Sequence, residues 1–155
     1  MSHDQRPAEA GQKECTMTTQ DNNALVLRFV DEIWSKGNLA AADELMTPDV
    51  VIHQPAVGGI AGLKAFNTTL RAAFPDWLST PEELIAEGDR VAERWTGRGT
   101  HRGAFQGILA TGTQVVVPGV VFYRLRDGKI VEFRGSFDML SMLRQLGAVP
   151  AATRA

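Results

Sequence analysis

The sequence predicts an α+β domain in which helices lie across one face of a curved antiparallel sheet. Three observations carry this. Apolar residues recur at helical spacing through Leu25, Phe29 and Ile33, and again through Leu63, Phe66, Leu70 and Phe74. From Leu78 onward the period falls to two. Gly88-Asp89 and Asp127-Gly128 then supply two-residue hairpin signals between the resulting runs.

The first helix is expected from Asn22 to Lys36, with Val26, Val30 and Trp34 widening its apolar stripe. Asp21 or Asn22 caps its start and Gly37 ends it. A shorter helix from Asn38 turns Leu39, Ala42, Leu45 and Met46 inward. It stops at Thr47-Pro48, because a residue before proline is pushed out of the helical region. Val50 to His53 reads as a short strand, and the proline and three glycines of Gln54 to Gly62 read as a loop. A third helix follows and is stopped by Pro75-Asp76.

Four strands come next. Leu78 to Glu87 is placed at an edge or bulge by Pro81. Arg90 to about His101, valine-rich Gln114 to Arg126, and Lys129 to Phe137 complete the meander, with a glycine-spaced loop over Gly103 to Gly112. Asp138 caps a last helix, Met139 to Leu146, closed by Gly147.

The chain has 155 residues, 44% of them apolar and 22% charged, with a formal charge of −2. That is about one domain, with no basic footprint for nucleic acid or acidic lipid. One cysteine excludes a disulfide framework within the chain and leaves no cysteine-based zinc site. No apolar run approaches the ~20 residues of a membrane helix. Residues 1–20 are polar and lack a signal-peptide core, so they read as a disordered tail, with Met17 as a possible true start. Residues 21–150 form the domain, 151–155 a second tail, and the expected compartment is the cytoplasm.

Along Gln114 to Arg126 one face carries Val115, Val117, Gly119, Val121, Tyr123 and Leu125. The other carries Val116, Pro118, Val120, Phe122 and Arg124. Both are apolar in the middle, and the helices cover only one. A homodimer through the face centred on Val120 and Phe122 is therefore expected, with a foreign protein partner as the alternative. Val91, Glu93, Trp95 and His101 share a parity on the preceding strand. Glu93 reads as a rim residue, as a salt-bridge partner of Arg94 or Arg98, or as a catalytic acid.

Several ordered pieces then carry a resemblance. They are Trp34 with Gly37-Asn38-Leu39, Pro48-Asp49, His53-Gln54-Pro55, Phe74-Pro75-Asp76, and Glu87-Gly88-Asp89. Gly99-Thr100-His101 with Gly103, Ala110-Thr111-Gly112, Tyr123-Arg124, Asp127-Gly128-Lys129-Ile130 and Gln145-Leu146-Gly147 follow. Across about residues 24 to 150 the chain resembles the SnoaL-like polyketide cyclase (ester cyclase) family of the nuclear-transport-factor-2-like superfamily. The resemblance implies a cone-shaped α+β barrel, its curved sheet wrapped around three or four helices, with a ligand cavity inside and no cofactor. It also implies an aldol-type acid/base chemistry run by an aspartate of the last strand. Counted from the Asp127-Gly128 turn, that aspartate falls on Gly135, and a cavity histidine falls near Val121, so the aldol machinery does not carry over residue by residue.

The remaining ionisable groups supply the candidates. His53 is either a hydrogen-bonded core residue or a general base, with Asp138 as its orienting carboxylate or as a plain N-cap. His101 and Glu93 form a reserve pair. His53, His101 and Asp138 lack the close spacing of a metal site, so no metal is expected. Trp34, Trp77, Trp95 and Tyr123 are candidates to stack on a flat ligand, above a floor of Val121, Phe133 and Gly135. Arg71, Arg94 and Arg124 are candidates to clamp a carboxylate. The expected function is a cofactor-independent cyclase, isomerase or hydrolase acting on an apolar cyclic carbonyl compound. The alternative is a non-catalytic binding protein for a small hydrophobic metabolite.

Overall fold

The computed structural model describes residues 17–54 and 57–149. The elements in chain order are α1 (Thr19–Phe29), a π-helical continuation (Val30–Ser35), α2 (Ala41–Leu45), β1 (Met46–Ile52) and α3 (Gly59–Ala73). They are followed by β2 (Leu78–Glu87), β3 (Arg90–Thr100), β4 (Gln114–Arg126), β5 (Lys129–Phe137) and α4 (Met139–Gln145). Among the described residues no helix is long and apolar enough to cross a membrane.

The first helix starts earlier than its apolar stripe, inside the stretch read as a tail. Thr18 caps it: its hydroxyl accepts from the Asp21 backbone N–H, and the Asp21 carboxylate accepts from the Thr18 N–H. Asp21 is thus the third residue of a capping box rather than the cap. Asn22 has a different task, for it is buried and donates from Nδ2 to the Gly88 carbonyl, tying α1 to the β2–β3 hairpin. After Phe29 the helix widens into a π turn, which brings Val30 and Trp34 to the same pocket.

The sheet has the order β1-β5-β4-β3-β2. β2 to β5 form the expected meander. β1 is longer than expected, starting directly after α2, and it pairs parallel to β5, with a register shift between Met46 and Val51. The sheet curves but does not close into a barrel, because β1 and β2 remain as edges. Pro81 lies on edge strand β2 beside a bulge, where its missing N–H costs no ladder bond. Asp127 (φ 51°) and Gly128 (φ 73°) make the β4–β5 turn, whose two positive φ values match the twist of the strands.

β4 alternates buried and exposed along its whole length, and the buried set faces the helices. Phe29 of α1 packs edge-on against Tyr123 at 6.0 Å and tilts against Phe133 at 6.2 Å. The opposite face is open in the single chain: Val120 is 44% and Phe122 58% exposed. Residues 1–16 and 150–155, and with them Cys15, lie outside the described residues.

Phe29 therefore joins α1 to the sheet from a fully buried position. Phe29→Ala is expected to lower unfolding free energy by about 3–5 kcal/mol, read from urea denaturation; a loss below about 1 kcal/mol would show that this contact does not hold α1 in place.

Candidate functional site

Three cross-strand rungs on the inner face of the sheet build one wall of a pocket. Val91 pairs with Tyr123 and Tyr123 with Phe133; Glu93 pairs with Val121 and Val121 with Gly135; Trp95 pairs with Gly119 and Gly119 with Phe137. Opposite stand Val30 and Trp34 from the π turn, Phe66 and Leu70 from α3, and Met142 from α4. Trp77 and Ser79 close one side, together with Phe105 from the β3–β4 loop. Gln54 and Ser136 are the polar residues toward the mouth. The pocket, its open mouth included, holds about 630 Å³ of empty space.

Glu93 is the carboxylate of this pocket. It is 2% exposed, and its Oε2 accepts a 2.6 Å hydrogen bond from the Tyr123 hydroxyl. Its Oε1 is buried without a partner. Burial pushes the Glu93 carboxyl above the ordinary carboxylate range, against the opposing pull of the Tyr123 hydrogen bond. Burial, and then the charge of Glu93, push the Tyr123 phenol well above its ordinary value. Neither a rim position nor a salt bridge to Arg94 or Arg98 describes Glu93. Parity turns it inward, while Arg94 turns outward to Glu83 at 3.4 Å.

The three groups expected to do acid/base work stand elsewhere. His53 projects from the other face of the sheet, because Ile52 lies in register with inward-facing Phe133 and the next residue points the opposite way. Its Nε2 lies 2.8 Å from Glu132 Oε1, and Glu132 also holds Arg124 at 2.9 Å. Asp138 is exposed and caps α4, its Oδ1 accepting from the Ser141 N–H at 2.8 Å. His101 is fully buried one layer behind the pocket wall. It stacks on Phe74 at 5.2 Å, and its Nδ1 accepts from the Thr111 N–H at 3.2 Å. None of His53, Asp138 and His101 lines the pocket, and none is hydrogen-bonded to another of the three.

Trp34, Trp77, Glu93, Trp95, Val121, Tyr123, Phe133 and Gly135 all line the pocket. At Gly135 the space over the backbone belongs to the Phe133 ring, whose Cε1 would stand 2.8 Å from an added Cβ. Of the arginines, Arg71 spends its Nη1 on the carbonyls of Trp34 and Ser35, and Arg124 is held by Glu132 on the outer face. Phe66 and Leu70 belong to the helical stripe already read as core. Phe137 continues the parity of Phe133. Phe105 sits in a glycine-spaced loop with no periodic signal to reveal it. Among the described residues no three His, Cys, Asp or Glu side chains are grouped to hold a metal ion.

The family model for SnoaL-like polyketide cyclases matches residues 24–146. Aklanonic acid methyl ester cyclase DnrD of Streptomyces peucetius is 31% identical over 105 residues, which span 67% of this chain and 72% of DnrD. TsrD of Streptomyces laurentii superposes with a TM-score of 0.76 at 27% identity, covering 84% of this chain and 97% of TsrD. IdmH of Streptomyces antibioticus does so with a TM-score of 0.74 at 32% identity, covering 81% and 98%.

The raised carboxyl has a consequence for stability. Between the ordinary Glu value of 4.5 and its raised folded value, the folded chain holds a proton that the unfolded chain has lost. The Glu93 contribution is therefore present at low pH and lost as pH rises through that window. Glu93→Gln is expected to flatten the difference, gaining on the wild type in thermal midpoint from pH 4 to pH 8; a constant offset across that range would contradict the assignment.

Proposed function

Because this chain belongs to the SnoaL-like polyketide cyclase family, we propose that it is a cofactor-independent acid/base enzyme of the cyclase type. Its substrate is a polyketide-like, apolar carbonyl compound, and its working carboxyl is Glu93 with Tyr123 as the positioning residue. The observation that carries this is the free Oε1 of a buried glutamate at the pocket.

The chemistry follows from the two oxygens. With the Tyr123 hydroxyl engaged on Oε2, the acidic proton of neutral Glu93 resides on Oε1. As carboxylate, the same oxygen takes a proton from carbon next to a carbonyl. The resulting enolate attacks a second carbonyl of the same molecule and closes a ring. The new alkoxide recovers the proton from Oε1, so the enzyme ends as it began. A dry, aromatic surround raises the carboxyl's affinity for protons and so makes its carboxylate a stronger base. General acid/base catalysis of this kind is worth about 10²–10⁴-fold.

We further propose a homodimer through the exposed outer face. Phe122 is the largest apolar group there, beside Val120 and Ile85. Phe122→Glu is expected to lower the sedimenting mass to that of one chain, and a wild type that is already a monomer at micromolar concentration would exclude the dimer.

Aklanonic acid methyl ester, named for the relative DnrD, is the first substrate to offer. Glu93→Gln is expected to slow ring closure about 10²–10⁴-fold, followed by chromatography, with Tyr123→Phe intermediate. His53→Ala and Asp138→Asn are expected to stay within about threefold of wild type, since neither side chain reaches the pocket. Loss of turnover in His53→Ala with Glu93→Gln active would reverse the assignment.

A further inference from the structure

Two glycines fix where the indoles of the pocket lie. Gly119 faces Trp95 across the β3–β4 ladder, and the Trp95 ring rests directly on it. A Cβ built on Gly119 would stand 2.3 Å from Trp95 Cζ2, 2.4 Å from Cε2 and 2.8 Å from Nε1. Gly97, two residues from Trp95 on the same face, carries the benzo edge of Trp77. A Cβ there would stand 2.2 Å from Trp77 Cζ2, 2.7 Å from its Cη2 and 2.9 Å from Trp95 Cζ3. Carbon atoms in comfortable contact lie about 3.5–4.0 Å apart. Both indoles therefore lie deeper on the sheet than any residue with a side chain beneath them would permit.

That depth is not what strand stability asks for. Glycine inside a strand has no side chain to pack and loses more freedom on folding, and the neighbours of Gly119 on this face of β4 are Val117 and Val121. Trp77 is held down from above as well: its Nε1–H donates to Ser79 Oγ at 3.0 Å. Both indoles line the same pocket as Glu93.

We propose that Gly97 and Gly119 are specificity-determining residues, which keep a flat slot open between the two indoles and the helices and so select a planar aromatic ketone over its saturated counterpart. The proposal rests on reading the pocket as the ligand site. A flat ring meets an indole face over its whole area, by offset stacking or edge-on. A puckered ring of the same carbon count touches it at a few axial hydrogens.

All three tryptophans of the chain line this pocket, so quenching of intrinsic fluorescence reports binding directly. The probes are 1-tetralone and 1-decalone, which share a two-ring skeleton and one carbonyl and differ in aromaticity. The wild type is expected to bind 1-tetralone at least tenfold more tightly. Gly119→Ala and Gly97→Ala, with circular dichroism unchanged, are expected to lose at least tenfold of the 1-tetralone affinity. Trp95→Leu, which leaves Gly119 in place and introduces no clash, is expected to bind the two ketones alike, and it decides the matter if the alanine variants do not fold. Equal binding of both ketones by the wild type, no binding of 1-tetralone, or a preference undiminished in Trp95→Leu would each overturn the proposal. Glu93→Gln keeps the planar preference on this account. If it keeps turnover as well, the acid/base reading fails while the slot stands.

Discussion

The structure depends on a two-residue alternation that runs unbroken through β4. Every second side chain from Val115 to Leu125 is buried against helices, and every side chain between them meets solvent. Ladder hydrogen bonds pass this parity to β3 and β5 without a slip at the central rungs. Glu93, Val121 and Gly135 therefore face the pocket together. The same rule sends His53 outward, because it follows a residue whose register partner is Phe133. A one-residue shift of register would exchange the two faces and place Arg94 and Arg124 among the aromatic rings.

Burying Glu93 opposes folding unless something answers it. A carboxylate in apolar surroundings is costly, so the group keeps its proton to a higher pH and takes one hydrogen bond from Tyr123. That bond fixes the carboxyl's orientation and leaves its second oxygen unserved. Other buried polar atoms lack partners too, among them Asn22 Oδ1 and His101 Nε2, but of the residues that carry them Glu93 is the one that lines the pocket. Polar imperfection inside an otherwise apolar wall is the kind of local conflict that folded chains retain where a site must act on something else.

Much of this architecture was legible in the residues. The hairpin at Asp127-Gly128, the strand bounds of β2 and β4, the edge position of Pro81 and the inward parity of Trp95, Tyr123 and Phe133 all follow from local chemistry. What escaped were features set by partners distant in sequence. Nothing near Met46 announces a parallel partner beyond residue 129, and Thr18 caps a helix whose apolar stripe begins several residues later. The candidate site divided the same way. Residues on a long regular strand could be assigned a face. His53, at the end of an edge strand, could not, because its direction is decided by the register of β1 on β5. Asp138 reads in the sequence as a catalytic carboxylate or as a plain cap; it caps α4 through Oδ1 and does not line the pocket.

The parallel pairing of β1 with β5 also has a kinetic side. His53 and Glu132 meet across 79 residues of chain, whereas β2–β3 and β4–β5 fold back through two-residue turns. Contacts closed over such loops form slowly relative to hairpins. On a ribosome, β1 emerges early yet has no strand to pair with until β5 has left the exit tunnel. That strand must wait unpaired during synthesis, and in that interval its open backbone is exposed to capture by a chaperone or by another nascent copy.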